Sequence, residues 1–403
     1  MSTLRDVVRR IGPGLITASV VLGPGSIVAS SKAGAEGGYR LVWLIAVAGL
    51  FMAVYVSMGA RLGCALEDSP LTYVSRRAGR WLAVLAGLSA FLVTAGFQFG
   101  NNLGVAFAVS GITGTPAWVW PLVFTGLSLL FLFTAKRVYV WLERIMMAMV
   151  GIMIVCFFAN LFWTGFDVAA FANGLVPRLA KPDWLVAPAM LATTFSVVAA
   201  FYQAYLVQAK GWHRENVRDA VLDGWVGIAI LALISGAIMV GAAQTLHGTE
   251  DTFWDVGQLA QLLKGLLGPA ANAVFCCGIA AASFSSFIVN AIVGGGMMAD
   301  GLGLDARVDS AATKKLSAAV MVLGCVVALL ILLLGKGSAQ SLLVAQASTL
   351  VAIPLCAVLL YYLTCSKKVM GDMRNRAFSL VLGAAGLLLL LGISVRTLVR
   401  LFS

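Results

Sequence analysis

The feature that most constrains this chain is a series of apolar runs, each about as long as a lipid bilayer is thick. A run of roughly 20 apolar residues crosses the hydrocarbon core as a helix. Eleven such runs follow one another, near residues 12–31, 41–62, 82–110, 116–134, 138–164, 185–209, 220–244, 269–299, 316–334, 340–364 and 377–402. Because backbone polar groups need internal partners in hydrocarbon, the pattern predicts an all-α polytopic membrane protein.

The composition supports this class of protein. Hydrophobic residues make up 61% of the chain and charged residues only 11%, which excludes an ordinary soluble domain. The net charge of +11 does not indicate a nucleic-acid-binding protein, because the basic residues lie in short loops between apolar runs. The seven cysteines lie in or beside those runs and show no disulfide or metal-binding spacing. We therefore expect one membrane domain over residues 1–403, with no cofactor.

The basic residues also predict the orientation of the chain. Of the 28 lysines and arginines, 20 fall in the loops that share a side with the N-terminus. Cytoplasmic loops carry the excess of basic residues, so the N-terminus is expected to be cytoplasmic and the C-terminus outside. We expect a multi-pass protein of the cell membrane, either the inner membrane of a bacterium or a plasma membrane.

The first apolar run is interrupted in its middle. Residues 17–32 read TASVVLGPGSIVASSK, and Gly23-Pro24-Gly25 removes a backbone donor and the steric bias toward helix. The freed backbone groups must meet protein or water, so a break at this depth is typical of a helix that lines a binding cavity. A kink that serves only packing is the alternative, since proline and glycine are common in membrane helices.

Ten runs plus one suit two inverted five-helix repeats, roughly 12–164 and 185–364, with an extra helix over 377–402. In such a repeat the sixth run is broken like the first. The sixth run has Pro188 near its start but no Gly/Pro pair at its centre. A break there is expected between Val197 and Phe201, without help from backbone-breaking residues.

Several blocks, in order, resemble the Nramp family of divalent-metal transporters. They are GPGLITASVVLGPGS (12–26), MGARLG (58–63), WLERIMMAMVG (141–151), LVQAK (206–210), ASFSSFIVNAIVGG (282–295) and the tenth run with the basic stretch after it (341–376). The resemblance covers most of the chain. It implies the LeuT-type fold, with 11 transmembrane helices of which helices 1 and 6 are broken, and an alternating-access secondary transporter.

The chain departs from the family where the family binds metal. The Asp and Asn of the family's first helix align with Gly23 and Ser26, and its Met-Pro-His aligns at about Ser196-Val197-Val198. The acidic pair of the third helix aligns with Gln98 and Asn101. The carboxylates and the thioether that would select a transition metal are thus replaced by neutral groups. No residue is predicted to ligate a metal directly.

Neutral groups at the depth of the breaks suggest a neutral polar cargo. The candidate substrate-binding residues are Gly23, Ser26, Gln98, Asn101, Ser196, Val197, Tyr202, Gln203 and Gln346. Amides pair with hydroxyl groups and aromatic rings stack on C–H faces, so a sugar such as glucose is the expected substrate. Serines such as Ser286 are instead expected to form hydrogen bonds between helices.

Other functions remain open from the sequence. One alternative is a transporter of hydrated Mg²⁺ or another divalent cation, held by amides and hydroxyl groups. A membrane receptor or enzyme belongs to a different class. An enzyme is disfavoured because no histidine or acid pair lies at depth for acid–base chemistry. The expected partners are a small-molecule substrate and the bilayer, with no nucleic acid. Both a proton co-substrate and passive facilitation are compatible with the sequence, which does not indicate the oligomeric state.

Overall fold

The computed structural model describes residues 12–135, 137–177, 186–248, 256–334, 349 and 352–402, and every regular element in these residues is a helix. In the first half these helices are α1 (Pro13–Val21), α2 (Pro24–Gly37), α3 (Val42–Ala65), α4 (Pro70–Ala78), α5 (Arg80–Thr113), α6 (Val119–Thr134), α7 (Val138–Thr164) and α8 (Val168–Gly174). The second half holds α9 (Val186–Thr194), α10 (Val197–Ala209), α11 (Val217–Leu246), α12 (Val256–Gly301), α13 (Ala311–Leu333), α14 (Ile353–Cys365), α15 (Lys367–Met370) and α16 (Ala377–Phe402).

The described helices are long and apolar enough for a polytopic membrane protein. Within the described residues, eight helical spans are long and apolar enough to cross a membrane. A ninth span is present if Ile353–Cys365 and Lys367–Met373, which are bent by 67° relative to each other, are counted as one. The shorter apolar helix α6 adds Val119–Thr134. The all-α membrane fold is confirmed, whereas the count of eleven helices stays a prediction.

The first apolar run is broken where its sequence predicts. Helix α1 ends at Val21 and α2 begins at Pro24, with Gly23 in an extended conformation at φ −119° and ψ 178°. Pro24 at the first turn of α2 has no N–H, so the helix restarts there with one fewer donor in need of a partner. The stretch singled out in the sequence is therefore two half-helices and not a kinked continuous helix.

The sixth run is also broken, but earlier than expected. Helix α9 ends at Thr194 and α10 begins at Val197, so the break falls at Phe195 and Ser196 rather than between Val197 and Phe201. Neither residue forces a break by itself. Tertiary packing therefore determines the position, since the whole segment is buried.

The two broken helices cross so that their breaks lie side by side. Helix α10 packs against α1, and α9 packs against α2. Because the first half of each broken helix contacts the second half of the other, the two interruptions meet at one level. Helices α5 and α12 form the most extensive helix pair in the described residues, and α5 packs against α2 while α12 packs against both α1 and α2.

Helix α1 approaches α11 closely because both carry glycine at the contact. A Cβ atom built on Gly227 falls onto the carbonyl oxygen of Gly14, and one built on Gly14 falls onto the carbonyl oxygen of Asp223. Small residues at a helix crossing let two backbones approach in this way.

Substituting Gly227 with valine is therefore expected to separate α1 from α11. Overpacking a tight contact costs about 1–3 kcal/mol, so the thermal unfolding midpoint of the purified protein should fall. Gly236→Val is the matched control, because Gly236 lies on the same helix and a Cβ there meets nothing within 4 Å. Equal midpoints for the two variants would contradict the proposed close contact.

Candidate functional site

Polar side chains from two neighbouring helices converge on the break in the first helix. A Cβ atom built on Gly23 would lie 2.9 Å from Asn101 Oδ1 of α5 and 3.0 Å from Ser286 Oγ of α12. Asn101 and Ser286 are both buried. Glycine at this position therefore leaves the space in which two side-chain oxygens from separate helices approach the broken backbone.

The carbonyl oxygen of Val20, released by the break, is satisfied from α12. Ser286 Oγ donates to it at 3.0 Å and Asn290 Nδ2 donates at 3.4 Å. Asn290 Nδ2 also donates to Ser286 Oγ at 2.7 Å, whereas Asn290 Oδ1 is buried without a hydrogen-bond partner among the described residues. Ser286 thus has the interhelical hydrogen bond expected for a serine here, and Asn290 leaves one acceptor unused.

Gln98 and Asn101 lie one helical turn apart on α5 and contact each other. Asn101 Nδ2 donates to Gln98 Oε1 at 3.3 Å, which leaves Asn101 Oδ1 directed to Gly23. Gln98 packs against Gly324 of α13, and its Nε2 is buried without a hydrogen-bond partner in the described part of the chain. This pair is neutral where the resembled family has two carboxylates.

Ser26 lies at the break, but the broken backbone occupies its hydroxyl group. The Gly23 N–H donates to Ser26 Oγ at 3.1 Å, and Ser26 Oγ donates to the Gly23 carbonyl oxygen at 2.7 Å. This reciprocal arrangement caps the first turn of α2. Ser26 therefore stabilises the break, and its hydroxyl group retains one acceptor lone pair.

Ser196 and Val197 lie at the second break. Ser196 is the residue before α10, with φ −81° and ψ 91°, and its side chain makes no capping hydrogen bond to that helix. Val197 is the first residue of α10, and both residues are buried. These two predicted site residues therefore face the same crossing as Gly23.

Tyr202 and Gln203 lie away from the breaks. Gln203 follows Ser196 by seven residues on a helix, which places it about 10 Å along the axis. Gln203 Oε1 accepts a hydrogen bond from Thr17 Oγ1 of α1, while Gln203 Nε2 has no partner among the described residues. The Tyr202 ring stacks on that of Tyr205 with centroids 5.1 Å apart. Gln203 therefore joins α1 to α10 away from the breaks, and Tyr202 packs against Gly296 of α12.

Gln346, the remaining predicted site residue, lies outside the described residues.

The buried carboxylates of the described residues, Asp223 and Asp300, accept hydrogen bonds from the starts of other helices. Asp223 accepts hydrogen bonds from the N–H groups of Gly12 at 2.9 Å and Gly14 at 2.6 Å, which caps the start of α1. Asp300 accepts from the Leu71 N–H at 2.8 Å and from Tyr205 OH at 2.6 Å, as well as from Ser69 and Thr72. Both carboxylates hold helix ends rather than line the breaks.

Glu143 pairs with a residue that the sequence order does not suggest. Its Oε1 lies 2.9 Å from Lys210 Nζ at the end of α10, and both side chains are mostly buried. The two side chains meet beside Gly12, at the start of α1.

The side chains placed at the crossing above are neutral and carry oxygen atoms as their acceptors. The described residues contain no group of three or more His, Cys, Asp or Glu side chains able to hold a metal ion. The available acceptors are Asn101 Oδ1 and Asn290 Oδ1, together with the hydroxyl groups of Ser286 and Ser196. Such atoms bind either hydroxyl groups or the water molecules around an ion.

Two contributors to this region were missed in the sequence. Thr17 is an ordinary threonine in an apolar run, and only the crossing of α1 with α10 identifies its partner Gln203. Asp223 is far from α1 in sequence. A signal was available, because the Gly12-Pro13-Gly14 start of α1 lacks a local side chain that can cap it.

Comparisons with known proteins agree with this fold and extend over the whole site. A profile of the family described as "Natural resistance-associated macrophage protein-like" matches residues 14–400. The "Divalent metal cation transporter MntH" of Deinococcus radiodurans is 27% identical over 389 residues, covering 94% of this chain and 87% of that protein. The protein of the same name from Verminephrobacter eiseniae is 26% identical, with 92% and 84% covered.

Solved structures show the same architecture. The Eremococcus coleocola manganese transporter, in complex with an aromatic bis-isothiourea compound, matches with a TM-score of 0.79 at 16% identity, covering 98% of this chain and 86% of that one. MhsT in complex with L-phenylalanine matches with a TM-score of 0.62 at 16% identity, covering 94% and 98%. The LeuT-type fold expected from the resemblance is confirmed.

The expectation of a sugar substrate is wrong. The named relatives transport divalent metal cations, and no feature of the site requires a sugar. Neutral oxygen acceptors suit a hydrated cation as well as a hydroxylated solute, so the loss of charged ligands did not single out a sugar.

The family profile spans nearly the entire chain, the relatives align from end to end, and both helix breaks are present. This chain belongs to the Nramp family of membrane transporters.

Proposed function

We propose that this protein transports a hard divalent cation of the Mg²⁺ class and carries it with much of its water shell retained. The observation that supports this most is the crossing of the two broken helices. The side chains that approach the first break, Asn101 and Ser286, are neutral and carry oxygen acceptors, and the described residues contain no group of three or more His, Cys, Asp or Glu side chains able to hold a metal ion. Mg²⁺ gives up water reluctantly and prefers oxygen partners, whereas softer metals prefer sulfur and nitrogen.

The direction of the hydrogen bonds supports a hydrated ion. A water molecule bound to a cation turns its lone pairs to the ion and its O–H groups outward. The surroundings must then supply acceptors, and Asn101 Oδ1 and the unpartnered Asn290 Oδ1 are acceptors. Retaining water also avoids the large desolvation cost of a bare divalent ion within the membrane.

The C-terminal ends of two half-helices place backbone carbonyl oxygens at the crossing, beside the N-terminal ends of α2 and α10. Helices α1 and α9 both end at the crossing, at Val21 and Thr194. The C-terminal end of a helix carries about half an elementary negative charge, and half-helix ends hold cations in other transporters with broken helices. We propose Gly23, Asn101, Ser196 and Val197 as the residues nearest the ion.

The remaining predicted site residues have less direct roles in this proposal. Ser26 stabilises the break, Gln98 positions Asn101, and Gln203 with Tyr202 closes the path between α1 and α10. Gln346 is retained as a substrate-binding residue on sequence grounds alone. The inverted repeats over 12–164 and 185–364, eleven helices and a cytoplasmic N-terminus in the cell membrane belong to the same proposal.

We further propose that the cation moves down its own electrochemical gradient without a coupled proton. Gln98 and Asn101 occupy the third-helix positions that are acidic in the resembled family, and amides do not titrate. The buried carboxylates of the described chain, Asp223 and Asp300, are held by hydrogen bonds at helix ends. A negative membrane potential favours entry of a divalent ion by about 4.6 kcal/mol per 100 mV.

Uptake into proteoliposomes tests this function. We expect flux of Mg²⁺ and Mn²⁺ that rises with an inside-negative potential, and no acidification of the vesicle interior during uptake. Cd²⁺, a soft ion, should neither be carried well nor compete, and labelled glucose should not enter. Empty liposomes prepared in parallel measure the background leak.

Three results would overturn the proposal. Absence of any divalent cation flux from protein that is folded and inserted would exclude the transport function. Tight competition by Cd²⁺, or uptake that depends on an inward proton gradient, would show dehydrated binding or proton coupling instead.

A further inference from the structure

A cavity far from the helix crossing combines arginines with an apolar wall. It has a volume of about 430 Å³ and lies between the ends of α3, α11 and α16. Arginines line it from three segments, together with one aspartate, Asp372; they are Arg61, Arg218, Arg374 and Arg376. The volume falls in the range of about 300–1,000 Å³ typical of small-molecule sites.

A network of hydrogen bonds holds one wall of the cavity in place. Arg61 Nη1 donates to the Met373 carbonyl oxygen at 2.9 Å, and Arg61 Nη2 donates to Asn375 Oδ1 at 2.7 Å. Asn375 in turn donates through Nδ2 to Thr364 Oγ1 at 3.0 Å and through its N–H to the Thr364 carbonyl oxygen at 2.9 Å. The segment that carries Arg374 and Arg376 is thereby fixed against α3 and α14.

The positive charge of this cavity is not neutralised by the protein. None of the four arginines forms an ion pair with a carboxylate of the described residues. Arg218, Arg374 and Arg376 are exposed at the rim. Asp372 offsets one of the four positive charges, which leaves an excess available to an anion.

The opposite wall of the cavity is apolar and faces outward. Val54 and Val221 lie in it beside Trp225 and Phe378, whose side chains are 37% and 59% exposed. A basic rim joined to an exposed apolar wall matches a molecule with an anionic head and a hydrocarbon chain. Basic pockets between membrane helices on the cytoplasmic side bind anionic lipid headgroups by this chemistry.

We propose that this cavity binds one anionic phospholipid, with its phosphate at Arg218, Arg374 and Arg376 and an acyl chain along Trp225 and Phe378. The arginines lie on the face that we propose to be cytoplasmic, where anionic lipids are available. Guanidinium groups bind phosphate through paired hydrogen bonds, so the site is expected to recognise the headgroup phosphate directly. The lipid would link α11 to the start of α16.

Native mass spectrometry in a neutral detergent tests the site without the surface potential of a membrane. Phosphatidylglycerol and phosphatidylcholine with the same chains are titrated into the wild type and into the triple variant Arg218→Gln, Arg374→Gln, Arg376→Gln. We expect one phosphatidylglycerol per chain, bound about 100-fold more weakly by the variant, since each arginine contributes about fivefold. Phosphatidylcholine should bind more weakly than phosphatidylglycerol.

The matched control removes three exposed lysines from the same predicted face, as Lys315→Gln, Lys367→Gln, Lys368→Gln. This control should bind phosphatidylglycerol like the wild type. Arg218→Gln alone, at an exposed position near the start of α11, provides a fallback if the triple variant unfolds, and should bind about fivefold more weakly.

Three outcomes would overturn the lipid site. In the first, the lysine and arginine variants weaken phosphatidylglycerol binding equally. In the second, the protein binds phosphatidylglycerol and phosphatidylcholine equally tightly. In the third, glycerol 3-phosphate or inorganic phosphate binds as tightly as phosphatidylglycerol. The last outcome would assign the arginines to a soluble phosphate instead. None of these measurements depends on cation transport, so their failure leaves the proposed function unaffected.

Discussion

Replacing Asn101 with leucine is expected to raise the half-saturating Mg²⁺ concentration for uptake by about 10- to 100-fold, the usual cost of losing a group that acts on a metal through an intermediate ligand. Asn101 Oδ1 lies 2.9 Å from a Cβ atom built on Gly23 and is directed at the break from another helix. Leucine has a similar shape but no acceptor, so the water shell of the ion would lose a hydrogen bond at the break. The measurement is uptake in proteoliposomes at graded Mg²⁺ concentrations.

Asn102→Leu is the matched control for this prediction. Asn102 is the next residue of α5 and is equally buried, but its side chain bonds the Gln98 carbonyl oxygen at 2.9 Å and Thr125 Oγ1 at 3.4 Å. It should lower thermal stability and leave the half-saturating concentration near that of the wild type. Asn101→Asp should bind at least as tightly, because a carboxylate accepts hydrogen bonds more strongly. Unchanged affinity in Asn101→Leu would remove this residue from the site.

Replacing Asp223 with alanine is expected to release the start of α1. Asp223 holds the N–H groups of Gly12 and Gly14, and hydrogen bonds to a charged group contribute about 1.5–3 kcal/mol each. Their loss should destabilise the protein by roughly 2–5 kcal/mol, since two buried donors remain without an acceptor. Hydrogen–deuterium exchange of the backbone amides of α1 should accelerate accordingly.

Asp300→Ala separates this specific effect from general destabilisation. Asp300 is also a buried carboxylate that holds a helix start, but its partners are Ser69, Leu71, Thr72 and Tyr205. It should accelerate exchange around α4 and leave α1 protected. If both variants expose α1 equally, Asp223 has no special role in holding that half-helix. Because alternating access requires half-helices to move, the Asp223 contact is a suitable point of control.

The fold was predictable from the sequence to the extent that local chemistry determines it. The first break follows from Gly23 and Pro24, since these residues act on the backbone directly. The second break at Phe195 and Ser196 was placed too late, because no residue there disfavours a helix by itself. Its position depends on packing between α9 and α2, which a single sequence does not reveal.

The candidate site was predictable in its residue types but not in its grouping. Gly23, Asn101 and Ser196 were identified, and the structure places them at the two breaks. Gln203 was assigned to the same site. It lies about 10 Å from Ser196 along the axis of α10 and bonds to Thr17 of α1. Pairs such as Glu143 with Lys210 join residues far apart in sequence, so only the crossing of helices brings them together.

The sugar prediction failed for a chemical reason. Loss of the carboxylates and the thioether excludes tight binding of a dehydrated soft metal, but it does not exclude a cation that keeps its water. A neutral site is consistent with both classes of cargo. The relatives are named as divalent metal cation transporters, which supports the proposal of a cation.

The most direct test of a hydrated cation at the helix crossing is an anomalous difference map from crystals soaked in Mn²⁺, which shares the oxygen preference of Mg²⁺. We predict a peak between the Leu22–Gly23 and Phe195–Ser196 breaks, about 4 Å from Asn101 Oδ1 with a water molecule between them. A peak that lies about 2.2 Å from three or more protein atoms, or no peak at the crossing, would contradict it.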